Sequence, residues 1–332
     1  MCPLPPMEPH YREKPHRYLS HLLGHEGKGS LLSLLKARGL ANDLWAGESV
    51  SVAEFTSFVV SVDCTDAGME RRDEVVSAVY SYIRMLRQEG PSERIFREVQ
   101  EVCAMNFRFS NKTKPMQYAR RLATSMHLYP PELTVAGGSL LYDYDPDLIR
   151  KVTDLLTPER MILAISSKAF EGEGVADRTE QWYGTKYGVE DIPLALLKQW
   201  DEAPLLPELT LPEPNPFIAT DFILRSDEED GKGGGDVAAA AGTPPGPVLL
   251  KEEEGFRLWF KQDRVFRKPK LCVRYKLATP AVYESPLACA MTDLLVGCLK
   301  ELFNEINYAA SQASLYADVY STKTALCFDF RG

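Results

Sequence analysis

The sequence predicts an α+β fold, helices packed on antiparallel sheet, and three observations carry that prediction. A long amphipathic pattern from Glu70 to Gln88 places Val75, Val79, Ile83 and Leu86 on one stripe. Before it, Phe58, Val60 and Val62 alternate with Val59 and Ser61 in a β-branched run, the mark of a half-buried strand. After Gly255 a strand–helix–strand–strand pattern begins again, so the 332 residues, 45% hydrophobic and 26% charged, have material for two domains.

Bulk charge narrows the function classes. A net charge of −9 and an isoelectric point near 5.3 argue against a general nucleic-acid binder, which needs clustered Lys and Arg without compensating acids. A basic ligand or peptide suits such a chain better. Seven cysteines (Cys2, Cys64, Cys103, Cys272, Cys289, Cys298, Cys327) form no C-x-x-C pair and read as buried thiols of a reducing, cytoplasmic setting. The N-terminal stretch has no apolar signal core, and no run of about 18 apolar residues predicts a membrane span.

Taken in order, Tyr18, Leu19, Leu22 and Leu23 predict a short helix. Gly27-Lys28-Gly29-Ser30 then turns the chain, with Ser30 capping a helix over Leu31 to Ala37 that Gly39 ends. That turn is not the G-x-x-x-x-G-K-[ST] loop of nucleotide binders. Strands are expected at Leu40–Trp45 and Val52–Asp63, joined by a polar link from Gly47 to Ser51. Gly90-Pro91 stops the long helix, and Ser92 opens another in which Ile95, Val99 and Val102 repeat at helical spacing. FRFSNKTKPMQY, residues 107–118, reads as a solvated connection with an anion site as the alternative. Helices come next at Met116–Met126, Leu133–Leu140 and Asp147–Leu156, then a short apolar strand over Met161–Ser166.

Aromatics crowd the stretch from Asp177 to Asp191, and prolines between Pro204 and Pro216 predict an extended tether. Ser226 to Pro247 is acidic, then Gly-rich, then Ala- and Pro-rich; such a composition cannot bury enough apolar area to offset its ordering entropy. The expected division is therefore a domain over 1–225, a linker over 226–255 and a partial domain over 256–332. In the last part Phe256–Phe260 and Leu271–Leu277 read as strands. The stripe Leu287, Met291, Leu294, Leu295, Cys298 and Leu302 reads as the core face of a helix, and Leu315–Tyr320 with Ala325–Phe330 as a hairpin.

His21 and His25 stand one helical turn apart with Glu26 beside the second. Metalloproteases of the H-x-x-E-H type bind zinc with two such histidines and polarise the attacking water with the Glu between them. Here that position is Gly24, Glu26 projects about 100° further round the helix, and spacing identifies no third ligand. The plain alternative is a pair of histidines at a helix end.

GHEGKGSLLSLLKARG with LANDLWAG, then LRQEGPSERIFREVQ, DRTEQWYGTKYGVEDIP, NPFIATDF and LWFKQDRVFRKPKL, resemble in order the second domain of the M16 zinc metallopeptidases of the insulysin and nardilysin type. The resemblance covers nearly the whole chain. It implies an M16-type (LuxS/metallohydrolase-like) domain of helices on antiparallel sheet, plus a partial second domain of the same type. It places CPLPP, residues 2–6, at the tail of a strand whose earlier half lies outside the sequence. Zinc would belong to the first domain of the full-length enzyme, and HLLGH, residues 21–25, would be a decayed copy of its motif. By resemblance no residue here is catalytic or metal-binding, and a substrate-anchoring site falls on His21, Gly24, Glu26, Leu44 and Gly47. Ser20 and Ala46 stand where insulysin-type members have glycine, and Arg17 where they have histidine. The implied partners are peptide substrates, the N-terminal catalytic and C-terminal M16 domains outside this chain, and, as an option, a second copy in a homodimer.

Two functions are compatible with these residues. In the first the chain is the non-catalytic middle of a zinc endopeptidase, cutting peptides at dibasic sites if it is nardilysin-like, and supplies chamber wall and an anchoring exosite. In the second it is a stand-alone peptide-binding pseudoenzyme. The family hydrolyses peptides but this chain lacks H-x-x-E-H, so sequence alone leaves open whether it is an enzyme.

Overall fold

The computed structural model describes residues 1–170, 174–224, 246–263 and 268–332, the side chain of residue 305 excepted. In chain order its elements begin with β1 (Cys2–Leu4), α1 (Pro15–Leu23), α2 (Leu31–Ala37), β2 (Ala41–Ser51), β3 (Thr56–Cys64) and α3 (Asp66–Glu70). Next come α4 (Arg72–Glu89), α5 (Glu93–Arg108), α6 (Pro115–Leu128), α7 (Pro146–Asp154), β4 (Arg178–Thr179), β5 (Lys186–Tyr187) and α8 (Leu194–Asp201). The last are β6 (Val248–Glu253), β7 (Phe256–Phe260), β8 (Cys272–Ala278), α9 (Pro286–Leu302), α10 (Asn304–Gln312), β9 (Tyr316–Thr322) and β10 (Ala325–Arg331). They form two compact units: Met1–Ile218 with Lys300–Ala313, and Ala219–Leu299 with Ser314–Gly332.

The first unit is built on a sheet in the order β1-β3-β2, antiparallel throughout, which leaves β2 at an edge. Its register sets Leu44 opposite Val62, Ala46 opposite Val60 and Gly47 opposite Val59. Leu19, Leu22 and Leu23 of α1, Leu31 and Leu35 of α2, Phe58, Tyr82, Phe96 and Trp200 are buried almost completely in one core. Each such side chain contributes roughly 1.5–3 kcal/mol by leaving water. Caps fix the helix starts: Ser30 Oγ accepts from Ser33 N at 3.1 Å, and Asp145 Oδ1 from Leu148 N at 2.9 Å ahead of Pro146. Ser92 precedes α5 as expected but makes no side-chain cap; its own N–H donates to Tyr18 Oη at 2.9 Å, tying α5 to α1.

The second unit holds the two-stranded β6-β7 and a sheet ordered β8-β10-β9. Buried Asp329 of β10 accepts from Arg274 at 2.8 Å and Arg331 at 2.5 Å, and these two guanidiniums hold its carboxyl down at about 2. No helix among the described residues is long and apolar enough to cross a membrane.

Several elements differ from the sequence reading. Residues 47–51 are not a link: β2 runs on to Ser51 across a bulge between Glu48 and Val50, and the turn falls at Val52–Phe55, whose ends are joined by Val52 N to Phe55 O. Leu133–Leu140 is a series of tight turns rather than a helix, as suits a segment holding the poor helix formers Gly137 and Gly138; Tyr129 packs against Gly137, where a Cβ would sit 2.7 Å from the ring. Met161–Ser166 forms no regular strand; Ile162 exchanges two backbone hydrogen bonds with Met1 and the rest is irregular. Of the expected linker, residues 225–245 lie outside the described residues, and 248–253 form β6. The α9 stripe is not core: Leu287, Met291, Leu294, Leu295 and Leu302 are all exposed, since patterning marks a face that can be covered, not one that is. The cysteines are all free, but only Cys2 and Cys327 are buried, while Cys272 and Cys298 are exposed.

Candidate peptide-anchoring site

The site forms where α1 ends against the free side of β2. Gly24 closes α1 by donating its N–H to Ser20 O at 2.9 Å, and His25 N–H donates to Leu22 O at 3.3 Å. A Cβ at residue 24 would stand 2.9 Å from Ser20 O and 3.4 Å from Ala46 N. Glycine therefore lets the helix end ride on the backbone of β2. The same contact leaves no room for the acid that an H-x-x-E-H motif would put there.

His21, Gly24, Glu26 and Leu44 line one cavity of about 650 Å³. Gly47 lines a neighbouring cavity of about 620 Å³, and Arg17, Ser20, Trp45 and Ala46 line both. Four of the five expected residues thus come together, and the fifth lies further along the same strand. Glu26 is not on the helix, which stops at Leu23, but on the turn after it. Its carboxyl is pushed up by burial first and by the charge of Asp43 second. On β2, Leu44 N–H is taken by Asp43 Oδ1 at 2.9 Å, and β3 is the only strand paired with β2 among the described residues.

Tyr308 of α10 completes the wall. Its hydroxyl donates to Gly24 O at 3.1 Å, and its ring meets His25 edge-on, centroids 4.8 Å apart. His25 in turn lies edge-on to His21 at 5.9 Å. Burial holds both imidazoles neutral, down at about 4, with His25 adding to the effect on His21. Sequence reasoning missed Tyr308, for its distance along the chain carries no local signal. It also read 204–216 as a tether, whereas Pro212, Pro214, Asn215 and Pro216 line the cavity and Asn215 Nδ2 donates to Ala309 O at 2.7 Å.

These residues do not fit a zinc ion. His25 Nδ1 already accepts from Gly27 N–H at 3.0 Å, and His25 and His21 meet ring edge to ring. Among the described residues no group of three His, Cys, Asp or Glu side chains is placed to hold a metal. What the arrangement offers instead is an open strand edge, a half-buried carboxylate and apolar walls, the elements that hold an extended peptide.

Residues 107–332 match the family model described as the middle or third domain of peptidase M16, and residues 1–103 match the one described as the peptidase M16 inactive domain. The chain belongs to the M16 peptidase family. Its M16 relatives include the insulin-degrading enzyme of Bos taurus, 39% identical over 323 residues that cover 97% of this chain and 30% of that protein. Nardilysin of Homo sapiens is 33% identical over 334 residues, covering 99% of this chain and 28% of that protein. This M16 chain thus spans under a third of the length of these relatives. The crystal structure of pitrilysin shares its fold with a TM-score of 0.77 at 23% identity, over all of this chain and 34% of that one.

Proposed function

We propose that this chain supplies a non-catalytic, peptide-anchoring part of an M16 metallopeptidase, in which zinc and the acid that activates water belong to residues outside it. An extended peptide adds to the free edge of β2 from Leu44 to Gly47, and its terminal amine is received by the Glu26 carboxylate. His21 and Gly24 shape the floor beneath it. Substrates of this reading are flexible peptides, including those with dibasic sites, by analogy with the nardilysin-like relatives, and the seven free cysteines suit a cytoplasmic setting.

The observation that carries the reading is the conjunction of an edge strand with a partly buried acid in one cavity, where glycine stands at the position that an H-x-x-E-H motif gives to its acid. The test compares a peptide with a free N-terminus and its acetylated form by fluorescence anisotropy. Glu26→Gln is expected to weaken the first by about tenfold, the scale of a charge-assisted hydrogen bond, and leave the second unchanged. Equal loss for both removes Glu26 from the role.

A further inference from the structure

We infer that the edge of β2 reads side chains as well as backbone: the peptide it takes carries large apolar residues next to its anchored end, received against the Trp45 indole. This rests on the anchoring reading and specifies its ligand.

Trp45 is 50% exposed between Leu44 and Ala46, both of which are buried. Leaving so large an apolar side chain half in water on a strand edge forgoes stability unless something covers it. Its ring is not loose: the indole lies along Gly47, where a Cβ would meet Cζ2 at 2.9 Å, so the missing side chain lets it lie flat along the strand. It borders both cavities. A strand added to β2 brings one of its own side chains beside Trp45, since neighbouring residues on paired strands stand about 4.5–5.5 Å apart at Cβ.

The surrounding walls agree. Val99 and Val102 of α5 with Phe217 and Ile306 line the first cavity, and Leu128 and Tyr129 the second. Several charged groups between them already have partners. Arg17 donates to Ser139 O at 2.9 Å, Glu98 pairs with Arg94 at 2.9 Å, and Glu48 lies 3.3 Å from His16. Glu26 makes no ion pair among the described residues. A carboxylate for the amine, set beside an apolar surface for the first side chains, selects a peptide that is cationic at its first atom and greasy thereafter.

The test uses the 332-residue chain and C-terminally labelled pentapeptides, one beginning Leu-Phe-Leu and one Ser-Asn-Ser, each with a free amine and in N-acetylated form, read by anisotropy. The apolar peptide is expected to bind about tenfold tighter, the worth of one well-covered apolar side chain. Trp45→Ser and, independently, Val102→Asp bring that ratio towards one, while Trp45→Phe keeps most of it; a ratio is insensitive to general loss of stability. A preference of either peptide for its free-amine form without any preference between the two sequences overturns this inference and leaves anchoring standing. Equal binding of free and acetylated forms overturns both.

Discussion

Tyr308 and Gly24 are joined by a hydrogen bond of 3.1 Å that spans 284 positions of sequence. The phenol donates to a carbonyl left unpaired by the end of α1, one of the orphan acceptors every helix terminus must satisfy. A late helix thus fixes the geometry of an early one, and with it the wall between His25 and β2.

Removing that hydroxyl tests the link. Tyr308→Phe keeps the ring against His25 and is expected to cost about 1 kcal/mol in urea unfolding, the net worth of one hydrogen bond. Tyr308→Ala also empties a buried aromatic site and is expected to cost about 3 kcal/mol or more. Unfolding midpoints that do not separate the two variants would contradict the role given to the hydroxyl.

Glycine at 24 is required by contact rather than by φ. Gly24→Ala is expected to push α1 from β2, destabilise by about 1–3 kcal/mol and weaken peptide binding. Gly297 lies in α9 with open space around its Cβ, so Gly297→Ala is expected to stabilise by up to about 1 kcal/mol. Thermal melts of the pair check the sign of both.

Acid should loosen the first unit. His16, His21 and His25 are each held down at about 4 by burial, against an ordinary value of 6.5. Between those values the unfolded chain binds protons that the folded chain refuses, so stability is full above about pH 6.5 and falls as pH drops towards 4. Urea midpoints at pH 7 and pH 5 read this directly; the pH 5 midpoint is expected lower, and His21→Gln reduces the difference.

Lys14 is a buried amine, with Nζ donating to Gly137 O at 2.6 Å and to Leu140 O. Burial first and Arg17 second lower it to about 8. Lys14→Met leaves both carbonyls without that donor and is expected to cost about 1–3 kcal/mol. In the wild type the lowered value adds stability as pH rises from about 8 to 10.5, an increment the variant should lack.

Much of this fold was legible because local chemistry and burial agree. Ser30, Gly39, Gly90 and Asp145-Pro146 mark helix ends in sequence and do so in the structure. Where apolar periodicity alone is the guide, the expectation fails: the Gly137-Gly138 pair lies in turns where a helix is expected, and the apolar stripe of α9 is exposed. The site was half legible. His21, Gly24 and Glu26 lie within one short segment, but Tyr308, Trp45 and Asn215 acquire their places only when distant segments meet.

The proposed role, gripping peptides without cutting them, is checked by mass spectrometry of a dibasic peptide incubated with the 332-residue chain and added zinc. The expected result is an intact peptide that co-elutes with the protein. Fragments whose appearance is blocked by a chelator and abolished by His21→Ala would contradict it.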